Sequence, residues 1–213
     1  ASCTLRFGLP NIQTPMDGGL IKETDMSKII LSLCDYTGNW TQPYKDLGYT
    51  VILVDPKHSA HNTTDNPVLY PCTVQHFLFH VMDTLKPRVH GILMAPPCTH
   101  FTVSGARWWK GKDKDGRTEE GLDTVRYCLW IKDYLKPQWW CMENPVGRLP
   151  KLLPITLGKP KMYFNPYEYG DAFSKKTALW GDFNTDLPKS PVEPVYLTAS
   201  NGDRYSPVMM KTG

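Results

Sequence analysis

Apolar positions along this chain fall into two spacings. Residues 28–34 (KIILSLC), 50–55 (TVILVD) and 90–95 (HGILMA) are continuous β-branched and aliphatic runs, as in strands buried on both faces. Between the first two, residues 43–47 suit a short helix. Residues 74–85 carry Val74, Phe77, Leu78, Val81 and Leu85 at helical spacing and stop before Pro87. Further on, Thr118 reads as an N-cap, and Glu119 and Glu120 complement the dipole of the helix it opens. Leu122, Val125, Cys128, Leu129, Ile131 and Leu135 give that helix an apolar face, which ends before Pro137 and leads into the run 138–142 (QWWCM). Short apolar strands joined by helix-length connections predict a mainly parallel sheet covered on both faces, a doubly wound α/β fold.

The flanks read differently. Residues 1–27 lack periodicity and form an irregular arm. After the run at 138–142, Pro150, Pro154, Pro160 and Pro166 break the pattern, and Pro188, Pro191, Pro194 and Pro207 break it again, so the last third is expected to be short strands and loops. No internal repeat is present. A length of 213 residues with a 41% hydrophobic and 21% charged composition suits one soluble core.

Charge and cysteine usage narrow the class. A net charge of only +3 means that a nucleic-acid partner would have to meet a local basic patch. The six cysteines form no CxxC pair, which points to a reduced, cytoplasmic protein, and cysteines and histidines never fall at zinc spacing, so no metal is expected. No run approaches about 18 apolar residues and no basic-then-apolar leader opens the chain, so neither a membrane span nor a signal peptide is expected.

The chemistry gathers at two proline-fixed turns. Ala95-Pro96-Pro97-Cys98-Thr99 follows one predicted strand, and Glu143-Asn144-Pro145 follows another. At the carboxyl ends of strands in an open α/β sheet, where ligands bind, they would pair a thiol nucleophile with a proton-donating carboxyl. Cys98 also stands two residues from His100, a spacing that does not establish a thiol–imidazole dyad. Asp35-Tyr36-Thr37-Gly38 follows the first strand and Asp55-Pro56 ends the second, an arrangement suited to a nucleoside ligand whose ribose is bonded by the later acid. Asp55 equally reads as a cap for the next helix, and Gly38 as an ordinary turn glycine.

With PPC and ENP in that order, the chain resembles a DNA (cytosine-5) methyltransferase, in particular the compact, phage-encoded type. The resemblance spans residues 28–181 and leaves 182–213 as a short proline-rich segment. It implies a Rossmann-like methyltransferase fold and S-adenosylmethionine as donor. Cys98 would add to C6 of cytosine, Glu143 would protonate or bond N3, and C5 would then accept the methyl group. Pro97, Asn144, Pro145, Trp108 and Lys176 would face the substrate, and Asp35, Tyr36, Gly38, Asp55, Pro56, Thr73 and Pro96 the cofactor. DNA would be the partner, with the target base flipped out of the duplex. The segment 105–117 (GARWWKGKDKDGR), with five basic and two acidic residues around Trp108 and Trp109, would correspond to the mobile loop that closes over that base. It reads equally as a solvated loop with two tryptophans packed on the body.

Three departures from the family pattern carry weight. Tyr36 stands where a glycine is usual, which puts the donor in question and admits a modified sulfonium analogue. Lys175-Lys176-Thr177 has lysines where arginines are usual, so bidentate geometry is lost. About thirty residues after that motif are too few for the usual target-recognition domain, so specificity would come from a second copy, as in a homodimer, or from a partner. A noncatalytic nucleic-acid-binding descendant of the fold and a C5 modifier of pyrimidine nucleotides are the alternatives.

Overall fold

The computed structural model describes residues 28–62 and 64–206, with residues 79–84 described by backbone alone. The expected N-terminal arm and the side chain of Val81 lie outside this description. A seven-stranded sheet forms the centre, in the order β3-β2-β1-β4-β5-β7-β6. Its strands are β1 (Ile29–Leu33), β2 (Thr50–Val54), β3 (Val68–Tyr70), β4 (Val89–Met94), β5 (Trp139–Pro145), β6 (Met162–Phe164) and β7 (Thr177–Asp182). β1 to β5 pair in parallel, and β7 runs antiparallel between β5 and β6. A small hairpin, β8 (Leu197–Thr198) with β9 (Arg204–Tyr205), stands apart from the sheet.

The two faces are covered unequally. Leu31, Leu33, Ile52, Val54, Ile92, Met94 and Met142 are packed beneath α2 (Val74–Leu85) and the 19-residue α4 (Arg117–Leu135). Leu122, Val125, Cys128, Leu129, Ile131 and Leu135 of α4 are all buried, as the apolar stripe predicts. The opposite face, with Ile30, Val51, Leu53, Leu93, Cys141 and Leu179, is covered by Trp40, by the five-residue α1 (Gln42–Asp46) and by Trp139. Tyr44 of α1 stacks on Trp139 with ring centroids 5.2 Å apart. The doubly wound α/β expectation holds, with one face under long helices and the other under aromatic side chains.

Three local expectations are corrected. Glu143, Asn144 and Pro145 are the last residues of β5 and not a turn beyond it, because they pair with Leu179, Ala178 and Thr177 of β7. The segment expected as a loop at 105–117 is mostly helical: a 3-10 helix, Val103–Trp108, runs into α3 (Trp109–Lys114). Thr118 does not cap α4. Gly116, left-handed at φ 85°, occupies that position, and the Thr118 hydroxyl instead donates to Asp113 at 2.6 Å. The single turn α5 (Leu149–Leu152) follows β5. Among the described residues no helix is long and apolar enough to cross a membrane.

Candidate active site

Strand order reverses between β1 and β4, since β2 and β3 extend one way and β5, β7 and β6 the other. That crevice is where open α/β sheets bind ligands. Two turns meet there. The turn after β1 is closed by its own residues: the buried Asp35 accepts hydrogen bonds from the Thr37 and Gly38 amides (3.1 and 2.9 Å), from the Thr37 hydroxyl (3.4 Å) and from the Ser32 hydroxyl (2.9 Å). Gly38 adopts φ +67°, a conformation glycine takes without strain, and a Cβ there would meet Leu53 at 2.8 Å. Asp35 thus builds the turn and turns its carboxylate inward. Tyr36 is exposed, its ring centroid 5.5 Å from that of the buried His58.

Asp55 and Pro56 follow β2. One Asp55 oxygen accepts the Lys57 amide at 2.9 Å. Thr73 caps α2, its hydroxyl accepting the His76 amide at 3.3 Å. Cys72 beside it is pushed up by burial.

The turn after β4 is tied to β5 by groups far away in sequence. Ala95 donates to the Leu33 carbonyl of β1 at 3.0 Å. Pro96 is buried, Pro97 exposed and Cys98 half-buried. Asn144, wholly buried, donates its side-chain amide to the Pro96 carbonyl at 3.0 Å, while its own Oδ1 has no partner. Gly147 pairs with Thr102 in an isolated antiparallel bridge, and a Cβ at Gly147 would lie 1.9 Å from the Phe101 carbonyl oxygen. The Arg148 amide donates to that oxygen at 2.9 Å.

Lys175 completes the cluster. Its Nζ lies 3.4 Å from Glu143 Oε1, with both side chains largely buried. Burial pushes the Cys98 thiol above its ordinary value, the Lys175 ammonium opposes that rise, and the Glu143 carboxylate adds to it. Thiol, carboxyl and ammonium are therefore electrostatically coupled. The sequence pointed to Lys176, which is exposed, its Nζ 5.8 Å from the Tyr163 ring. The antiparallel register tells the two apart: Glu143 pairs with Leu179, so alternation continued back through Thr177 carries Lys175 to the face of Glu143. Tyr163 pairs with Ala178, which puts Lys176 on the opposite face.

Of the remaining residues, Pro145 is buried at the end of β5. Trp108 is 58% exposed, with the Arg107 guanidinium 5.0 Å over its ring. His100 packs against Phe101 and the start of α4 at Gly121. Burial, with Lys112, Arg117 and Arg148 nearby, holds His100 below its ordinary value, so it is neutral at neutral pH. Among the described residues no group of three or more His, Cys, Asp or Glu is arranged to hold a metal ion.

No family model matches the chain. A protein of Frog virus 3 (isolate Goorha) named "Probable DNA (cytosine-5)-methyltransferase" is 29% identical over 115 residues, which are 50% of this chain and 52% of that protein. A solved structure described as a "putative DNA modification methyltransferase encoded within prophage" (E. coli) superposes with a TM-score of 0.54 at 14% identity, covering 78% of this chain and 53% of the other. The chain spans about half the length of either. It is thus similar in sequence to a protein named for cytosine-5 methylation, and its fold is the α/β fold of a methyltransferase.

Proposed function

We propose that the protein is a DNA cytosine C5 methyltransferase with Cys98 as nucleophile. One observation carries this reading. Cys98, Glu143 and Lys175 converge at the carboxyl ends of β4, β5 and the start of β7, beside the β1/β4 crevice, in a thiol–carboxyl–ammonium cluster held by Asn144. Cytosine C5 is a poor nucleophile until a thiolate has added at C6, and such a cluster suits that addition. Cys98 adds at C6, the Lys175 ammonium favours its thiolate form, and Glu143 protonates or hydrogen-bonds N3 as the addition proceeds, so that charge does not build up on the ring. Once C5 carries the methyl group, loss of the C5 proton to a base or water expels the Cys98 thiolate from C6 and restores the aromatic ring.

Asp55, Pro56, Tyr36, Gly38, Thr73 and Pro96 stand at the strand ends assigned to a nucleoside-bearing donor, and the Asp55 carboxylate suits ribose hydroxyls. S-adenosylmethionine, or a modified sulfonium analogue that tolerates Tyr36, supplies the electrophilic carbon when bound. Pro97, Asn144, Pro145 and Trp108 are assigned to the substrate side, with the target base flipped toward Cys98. Exposed Trp108, with Arg107 over it, suits stacking and phosphate contact.

The test is intact-mass analysis after incubation with S-adenosylmethionine and an oligonucleotide containing 5-fluorocytosine, in which fluorine cannot leave as a proton does. The expected product is a protein–DNA adduct carrying one added methyl, absent in Cys98→Ser. Cofactor binding without an adduct would point to a pyrimidine nucleotide as substrate. Absence of both would favour a noncatalytic nucleic-acid-binding protein.

A further inference from the structure

Arg148, three residues beyond Pro145, makes directed contacts to several separate parts of the chain. Its Nε donates to the His100 carbonyl at 3.1 Å, two residues past Cys98. Nη1 and Nη2 grip Asp113 of α3 in a bidentate pair at 2.8 and 2.7 Å. Nη2 also reaches the Thr118 hydroxyl of α4 at 2.8 Å, and that hydroxyl donates onward to Asp113, which closes a three-membered network. The guanidinium carbon lies 4.7 Å over the Trp109 ring. The Arg148 side chain is only 11% exposed against 50% for Asp113.

The contacts join partners 30 to 48 residues apart: the nucleophile's turn, the helical segment 103–114, the start of α4 and the end of β5. A fork of fixed geometry is needed to hold a carbonyl, a carboxylate and a hydroxyl at once, and a lysine ammonium could not do so. Lys112 adds a parallel tie, its Nζ donating to the Thr99 carbonyl at 2.5 Å. Residues 98–102 are therefore held from both sides, by Arg148 from β5 and by Lys112 from α3.

We propose that Arg148 is a positioning residue: through Asp113 and the His100 carbonyl it docks the segment 103–114 and fixes the Cys98 turn against the strand that carries Glu143. It touches no reacting atom and acts through the Cys98 backbone. The catalytic consequence rests on the methyltransfer reading; the docking does not.

The experiment compares the full chain with Asp113→Asn, which changes the exposed half of the clamp and leaves the buried half in place, and with Arg148→Lys. Amide hydrogen exchange over 99–114 and the rate of Cys98 alkylation by iodoacetamide are read without DNA. Single-turnover adduct formation on 5-fluorocytosine DNA is read against DNA concentration. In Asp113→Asn the exchange over 99–114 is expected to rise at least tenfold while that of β1, β2 and β4 is unchanged, and Cys98 alkylation to change at least threefold. The saturating adduct rate is expected to fall about tenfold at an unchanged half-saturating DNA concentration. Unmoved exchange and alkylation in Asp113→Asn would overturn the clamp, whatever happens with DNA. Raised exchange with an unchanged saturating rate would make Arg148 structural only and overturn the positioning role. A wild-type protein that forms no adduct fails the methyltransfer reading, while exchange and alkylation still decide the clamp.

Discussion

The turn after β1 and the junction of β4 with β5 lie at the same edge of the sheet but are built in opposite ways. Asp35 satisfies its turn with partners two or three residues away. The junction depends on Asn144 with Pro96, Arg148 with His100 and Lys175 with Glu143, partners 48, 48 and 32 residues apart. A local turn can form wherever its own residues go, whereas a long-range junction exists only once the sheet has closed. The turn proposed to hold the donor is therefore preformed by its own residues, whereas the junction that carries Cys98 is sensitive to each of its long-range ties.

Substitutions test that contrast. Gly147→Ala is expected to be the most damaging, because its methyl would meet the Phe101 carbonyl and break the bridge between Thr102 and residue 147. A loss of about 3 kcal/mol in urea unfolding is expected, together with a loss of adduct formation. Asp35→Ala should cost about 2 kcal/mol by the same measurement, with Cys98 alkylation unmoved, since its hydrogen bonds stay within its own turn. A change in Cys98 alkylation in Asp35→Ala would show that the two regions are not independent.

Subtler changes probe the electrostatics of the junction. Lys175→Met removes the cation that opposes the rise of the Cys98 thiol, so the thiolate fraction at neutral pH should fall. Iodoacetamide rates measured against pH should be several-fold lower near pH 7, with the inflection moved to higher pH. Smallest of all is the acid response of the clamp. Arg148 and Thr118 hold the exposed Asp113 carboxyl down at about 2 from an ordinary 3.8. Because the folded value is the lower one, this contribution is complete above about pH 4 and fades as pH falls toward 2. Hydrogen exchange over 99–114, after correction for intrinsic rates, should therefore rise in two steps as pH falls, first below 6.5 as His100 takes a proton beside Lys112, Arg117 and Arg148, and again below about 4 as Asp113 is protonated.

Much of the frame was legible because it is written in short-range periodicity. The expected helix 74–85 is α2 as observed, and the runs at 28–34, 50–55 and 90–95 match β1, β2 and β4 to within one residue at each end. That Cys98 and Glu143 stand near the carboxyl ends of β4 and β5 was legible from the prolines beside them. The helicity of 103–114 was not, since Trp, Gly and alternating charges give no apolar stripe and its anchor, Arg148, lies far along the chain. Thr118 looked like a cap because capping and side-chain networks draw on the same hydroxyl, and here Asp113 and Arg148 claimed it.

Apolar spacing and proline positions, read along the chain, thus settle which segments become strands and helices and which residues stand at their ends, because both act over a few residues. Only the closed sheet decides that Glu143 to Pro145 continue a strand, that Lys175 and not Lys176 reaches the carboxylate, and that Arg148 joins the two turns. Each of those choices depends on an antiparallel register or a side-chain contact made across thirty residues or more, and no local pattern encodes which distant partner a strand or a guanidinium will meet.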